Sequence, residues 1–312
     1  MSGVQRHGLP VTHLALAVAV MAVWGSNFVV IKAALVHLPP LLLAALRFTF
    51  AFFPLAFFLK RPDVSLLNLA AYGLLIGVGQ FGLLFIAMRH DITPGLASLV
   101  IQVQVFFTIG LSMRLTGERV HGYQVMALLL AGAGLGVIAT HADGSATPLG
   151  LALIGGAALG WAGGNMVSRA AGPVNMLSYV VWASLFAVPP LFLLSFLFEG
   201  GAAMAAGVCN ADALTWAAVL WQSVGNTMFG YAVWGWLLAR HPAATVAPMA
   251  LLVPVFGMGA STLILGETLP GWKLLAAALV MSGLAIAKSS TPCVVPIACR
   301  ARALTPFLRS SR

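Results

Sequence analysis

Apolar residues in this chain do not alternate with polar ones at the strand period. They run in unbroken blocks of about 20, divided by short breaks rich in Gly, Pro and charge. The blocks lie at 12–33, 41–60, 66–87, 94–115, 121–140, 148–168, 175–198, 212–238, 244–265 and 271–288. At 1.5 Å rise per residue each covers about 30 Å of hydrocarbon, the length of a membrane-crossing helix. A barrel would show alternating segments of about 10 residues instead. The pattern predicts an all-α integral membrane protein with ten transmembrane helices. Short breaks make neighbouring helices antiparallel. The longest break, 199–211, is Gly/Ala-rich, holds no Lys or Arg, and reads as a connection. The first block follows Arg6 as a signal peptide's apolar region would. It runs on through Trp24 to Val30, which makes it an uncleaved first helix.

Composition removes the soluble alternative. Of 312 residues, 7% are charged and 61% hydrophobic, where an ordinary soluble domain carries about 25% charge. The net charge of +9 would suggest nucleic acid in a soluble protein, but here the bases sit between apolar blocks and report orientation. With the N-terminus in the cytoplasm, the inside holds Arg6, Lys60, Arg61, Arg114, Arg119, Arg169, Arg240, Lys288, Arg300, Arg302, Arg309 and Arg312. The outside loops hold only Arg89 and Lys273. Both termini are therefore expected in the cytoplasm. The chain divides into a cytoplasmic segment (1–11), a first five-helix unit (12–140), a second (148–288) and a basic cytoplasmic tail (289–312) with four arginines and several prolines. Cys209, Cys293 and Cys299 have neither metal spacing nor a disulfide framework.

The two units repeat each other. LTGERVHG at 115–122 returns as ILGETLPG at 264–271, so that Gly117, Glu118 and Gly122 match Gly266, Glu267 and Gly271. Trp24-Gly-Ser-Asn27 is echoed by Trp161-Ala-Gly-Gly-Asn165 in the first helix of the second unit. Five is an odd number of crossings, so the units enter the membrane from opposite sides. Inverted repeats of this kind place a substrate site near the midplane, where the halves meet.

The candidate chemistry is sparse. All seven carboxylates (Asp63, Asp91, Glu118, Asp143, Glu199, Asp212 and Glu267) fall in loops or at helix ends. That argues against an intramembrane Asp/Glu proton relay, paired-carboxylate catalysis or a metal site. Glu118 and Glu267 read as turn and helix-cap residues. Lys32 closes the first block, where its stem can snorkel to the headgroups. Arg47 lies about 9 Å inside the second block with no carboxylate in any block to pair with. It serves either a structural role or a substrate carboxylate. Asn27, Gln80, Gln102, Gln104, Asn165, Gln222 and Asn226 are amides within blocks, and side chains of this type face the bundle or a wet cavity. Gln102 and Gln104 fall on different faces of an α-helix, so one of them is expected at the cavity. Trp24, Trp161 and Trp182 lie deep enough for their ring faces to hold an ammonium by cation–π attraction, or simply to pack. Gly73/Gly77, Gly132/Gly136 and Gly156/Gly160/Gly164 have the small-xxx-small spacing of close helix contacts. The expected site is a central cavity lined by Trp24, Asn27, Gln102, Trp161 and Asn165, with Arg47 toward its outer mouth.

There is no Walker A loop, Gly-x-Ser-x-Gly or His-Glu-x-x-His, so transport would draw on gradients. The stretches WGSNFVVIK (24–32), PPLLLAALRF (39–48), GLASLVIQVQVFFT (95–108), GERVHG (117–122), WAGGN (161–165) and VAPMALLVPVFG (246–257) resemble the EamA group of ten-helix carriers in the drug/metabolite transporter superfamily. The likeness runs from about residue 15 to 288. It implies efflux of small amino acids or derivatives, of the O-acetylserine and cysteine kind, across the bacterial inner membrane. A broader drug or aromatic amino-acid exporter, a lipid-headgroup flippase and a membrane-embedded enzyme are the alternatives, in that order. The implied partners are a small-molecule substrate and the lipid bilayer. No nucleic acid, cofactor or metal is implied, and a homodimer is left open.

Overall fold

A computed structural model describes residues 10–116, 122–141, 144–241 and 246–289. Helices form at all ten predicted blocks. They are α1 (Val11–Ala34), α2 (Pro40–Ala56), α3 (Leu66–His90), α4 (Pro94–Val100 continuing as Gln104–Thr116), α5 (Gly122–Thr140), α6 (Pro148–Ala170) and α7 (Met176–Glu199). After the short α8 (Gly201–Asn210) come α9 (Ala213–Arg240), α10 (Leu252–Leu265) and α11 (Gly271–Ser289). The only β feature among the described residues is an isolated bridge between Ile92 and Ala146.

Helix α8 corrects the reading of 199–211 as a plain connection. Its sequence, GAAMAAGVCN, holds four alanines, the strongest helix former. It meets α9 at 104°, and at 10 residues it is too short to cross a bilayer.

Helix contacts follow the repeat. Exchanging α1–α5 for α6, α7, α9, α10 and α11 maps the contacts onto themselves. Thus α1 packs on α10 and α6 packs on α4; α3 packs on α6 and α9 packs on α1; α2 pairs with α7, and α5 with α11. Irregularities repeat as well. The middle of α3 is a π-helix (Leu74–Gly82), and so is the middle of α9 (Trp221–Phe229). A 3₁₀ turn interrupts α4 at Ile101–Val103, and another (Ala247–Leu251) precedes α10. These are the two inverted five-helix repeats that the odd crossing number requires.

Small residues set the closest approaches. A Cβ on Gly160 would stand 2.8 Å from the Gly79 carbonyl carbon and 2.9 Å from Leu75 O, so α6 lies directly against the π segment of α3. Gly73 and Gly77 face Ala183 and Ala187 of α7 in the same way. The Gly132/Gly136 pair differs from expectation: neither has a neighbour within 4 Å, and the α5–α11 contact is made by Gly134 against Val280 and by Gly283 against Ala127. Spacing alone does not say which of two glycine rows faces the partner.

Candidate functional site

A cavity of about 320 Å³ lies between the repeats. Its walls come from α1, α3 and α4 of the first repeat and from their counterparts α6, α9 and α10 of the second, with Met176 of α7 at one edge. Five of the six residues expected at a site line it: Trp24, Asn27, Gln102, Trp161 and Asn165.

Four of the five side chains are held by contacts to the other repeat. Asn27, 3% exposed, donates through Nδ2 to Gln222 Oε1 at 3.2 Å. Its counterpart Asn165 donates to Gln104 Oε1 at 3.1 Å and to Thr108 Oγ1 at 3.3 Å. Trp24 Nε1 donates to the backbone oxygen of Asn226, within the π segment of α9, at 3.1 Å. The Trp24 ring stands 5.7 Å from Tyr231 and 5.6 Å from Trp234, forming an aromatic corner of the cavity. Gln102 Nε2 donates to Ala250 O at 3.2 Å, tying the 3₁₀ turn of α4 to the one before α10.

Both Gln102 and Gln104 line the cavity, where only one was expected. The 3₁₀ turn is the reason. Residues two apart are about 160° apart around an α-helix but about 120° apart at three residues per turn, so both can reach one space. Trp182 is elsewhere, donating through Nε1 to Leu59 O at 3.0 Å.

Arg47, expected toward the outer mouth, is not among the cavity-lining residues. The side chain is 1% exposed. Its guanidinium carbon stands 3.5 Å from the ring centroid of Phe81, itself a cavity-lining residue. Nη2 donates to Thr227 Oγ1 at 3.3 Å, while Nε and Nη1 have no hydrogen-bond partner among the described residues. A desolvated cation–π contact contributes about 2 kcal/mol, and each orphan donor costs about 1–3 kcal/mol. The two orphans therefore at least cancel the ring contact. Asn27 Oδ1 and Gln80 Oε1, on cavity-lining residues, also lack partners among the described residues. The sequence reading missed Phe81 and Tyr72 as wall residues, because a lone aromatic in an apolar block carries no mark that separates lining from packing.

A second polar cluster lies at the end of the bundle carrying the 91–93 and 266–270 connections. Gly266 closes α10 in the left-handed region (φ 67°), turning the chain so that the following Glu267 points back into the bundle. Its carboxylate accepts from Thr93 Oγ1 at 2.5 Å, Gly95 N at 3.1 Å, Lys273 Nζ at 3.2 Å, and Ser261 Oγ. Thr93 and Gly95 flank the start of α4, so Glu267 caps a helix of the other repeat. Burial pushes its carboxyl up, but the hydrogen bonds from Ser261, Thr93 and Gly95 and the charge of Lys273 outweigh that and hold it below the usual range. Lys273, expected in an outside loop, is buried in this pair. Lys32 is also not simply snorkelling; it donates to Met88 O and Arg89 O at the end of α3. Glu118, the counterpart of Glu267, lies outside the described residues, as does the tail beyond 289.

An all-helical inverted repeat around a central cavity defines a membrane carrier rather than an enzyme. The chain belongs to the EamA-like transporter family, whose model matches residues 12–140 and again 148–288. It is 42% identical over 278 residues to a protein of Escherichia coli K12 named probable amino-acid metabolite efflux pump, covering 87% of this chain and 93% of that one. The same name and identity hold for a Salmonella typhimurium protein. An uncharacterized transporter of Bacillus subtilis is 27% identical over 86% of this chain. A solved crystal structure aligns with TM-score 0.60 over 88% of this chain and 96% of that one, at 21% identity, a likeness of fold alone.

Proposed function

We propose that the chain exports small amino acids or their derivatives, of the O-acetylserine and cysteine kind, by gradient-driven alternating access across the bacterial inner membrane. The observation that carries this reading is the cavity's composition. Both repeats supply amides and aromatic rings to it, and among the described residues no carboxylate or metal-ligating cluster stands in its wall. Such a lining suits a neutral or zwitterionic solute: amide oxygens and ring faces take an ammonium, and amide N–H groups take a carboxylate. The volume is at the lower end of small-molecule pockets. The efflux-pump names of the 42% identical relatives support the substrate class.

In this reading Trp24, Asn27, Gln102, Trp161 and Asn165 contact the substrate. Both termini face the cytoplasm, as the twelve-to-two distribution of bases requires. The test is counterflow in liposomes with a panel of amino acids and derivatives. Asn27→Ala and Asn165→Ala are expected to reduce it at unchanged membrane abundance. Full activity in both variants would remove the site. The Trp24–Tyr231–Trp234 corner favours a second reading, export of aromatic amino acids or drugs. The same panel separates the two by which solutes exchange.

A further inference from the structure

We propose that Phe81 is a shutter over a carboxylate receptor, and that the receptor is Arg47. The inference rests on the export reading above and names the group by which an amino acid would be selected.

Four observations converge on it. First, Arg47 is a fully buried cation with donors to spare: Nε and Nη1 have no partner among the described residues, and Nη2 has one long bond to Thr227. A guanidinium with free donors matches a carboxylate in charge and in planar, two-pronged geometry. Second, one aromatic side chain both touches the guanidinium and belongs to the cavity wall. Phe81 has the guanidinium on one face at 3.5 Å and contributes to the cavity wall. Third, the ring has somewhere to go. Among the described residues its remaining ring contacts are edge-on with Phe48 and Phe85, at 5.8 and 5.7 Å, and it borders a cavity of about 320 Å³. It stands on the π segment of α3, a wider turn of a type found often at functional sites. Fourth, the adjacent residue offers the complementary group. Gln80 Oε1 is a buried acceptor without a hydrogen-bond partner among the described residues, on a residue that lines the same cavity. An α-amino acid carries a carboxylate and an ammonium on adjacent carbons. With Phe81 displaced, Arg47 takes the first and Gln80 the second. The cation–π contact holds the guanidinium between substrates, so a charge that would otherwise need a permanent counter-ion is kept in the bundle without one.

The experiment uses purified full-length protein in two arms. The first reads exposure alone, as the fraction of Arg47 modified by phenylglyoxal and measured by mass spectrometry, with exposed Arg89 as internal reference. Phe81→Ala is expected to raise Arg47 labelling at least threefold, with Phe81→Leu as the milder second variant. The second arm is competition against O-acetyl-L-serine counterflow in liposomes by the free acid and by its methyl ester. The wild type is expected to prefer the acid about tenfold. Phe81→Ala should improve the acid about threefold and leave the ester unchanged. Arg47→Gln should bring acid and ester to parity, and in that background Phe81→Ala should have no further effect. Unchanged Arg47 labelling in both Phe81 variants overturns the shutter. Equal shifts for acid and ester, or an effect of Phe81→Ala that survives Arg47→Gln, overturn the receptor. If Arg47→Gln fails to fold, the labelling and the Phe81 variants still decide. Absence of counterflow with every amino acid tried in the wild type sinks the export reading instead, and is told apart by that.

Discussion

Glu267 and Arg47 are both buried charges, and the molecule treats them in opposite ways. Around Glu267 every oxygen is matched: two hydroxyls, a backbone N–H and the Lys273 ammonium converge on one carboxylate. Around Arg47 there are the Phe81 ring face, a more distant Phe48 ring, one long hydrogen bond and two donors without a hydrogen-bond partner among the described residues. The first arrangement ties a loop of one repeat to a helix start of the other, and its energy is spent on holding that end of the bundle closed. The second is poor as a structural device, because a Leu or Met in its place would lose little. A buried charge kept without adequate partners suggests a partner that comes and goes.

The comparison breaks first at Glu267. Glu267→Ala leaves Lys273 buried without a counter-ion and strips acceptors from Thr93, Ser261 and Gly95. Breaking a buried pair on one side costs about 3–5 kcal/mol. The expected result is a large fall in melting temperature in detergent and in membrane abundance. A variant as stable as the wild type would show that this end is not held by the carboxylate.

Acid acts on the same group. The folded-state pKa of Glu267 lies below its ordinary value of 4.5, so its contribution to stability is complete above the ordinary value. It is lost as the pH falls through the depressed one. Melting temperature should therefore hold as the pH drops to the usual glutamate range and decline below it, more steeply in the wild type than in Glu267→Gln. A decline that begins near neutrality would mean the carboxyl is not held down by its donors.

A matched pair of substitutions sharpens the contrast. Thr93→Val removes a 2.5 Å hydrogen bond to a charged group, worth about 1.5–3 kcal/mol. Thr227→Val removes the 3.3 Å contact to Arg47, expected to contribute under about 1 kcal/mol at that length. Thermal unfolding of the two variants should separate by at least about 0.5 kcal/mol. Equal losses would put Arg47 in the same structural class as Glu267.

Much of this contrast was visible in the sequence, and the rest could not have been. The crossing helices follow from block length, because hydrocarbon thickness fixes how many apolar residues a crossing needs. Asn27 and Asn165 could be named because a repeated motif pins two residues at once, and the cavity then follows from inversion. Arg47 shows the limit. Its depth could be computed from 1.5 Å per residue, but depth says nothing of azimuth. The α2 face that carries Arg47 turns toward Phe81 and Thr227 and not into the cavity. Gln104 shows another limit: the 3₁₀ turn that brings it beside Gln102 leaves no mark in an apolar run. Glu267 was legible as a turn residue, but that it caps the helix beginning at Pro94 depends on which loops the bundle brings together.

The smallest expected effect is the most telling. Arg47→Met removes the charge and keeps an unbranched apolar stem of similar reach. It gives up the Phe81 contact, about 2 kcal/mol when desolvated, and the long bond to Thr227. It also removes two buried donors without hydrogen-bond partners among the described residues, each costing about 1–3 kcal/mol, and replacing poorly matched buried charge by apolar groups is often neutral or stabilising. These contributions nearly cancel, so the melting temperature of Arg47→Met should stay close to that of the wild type, or rise. The same variant should export carboxylate-bearing substrates poorly. Stability retained with recognition lost is the signature of a residue kept for its ligand. If Arg47→Met instead falls as far as Glu267→Ala, the guanidinium is part of the bundle's framework, and the two buried charges differ only in how neatly they are paired.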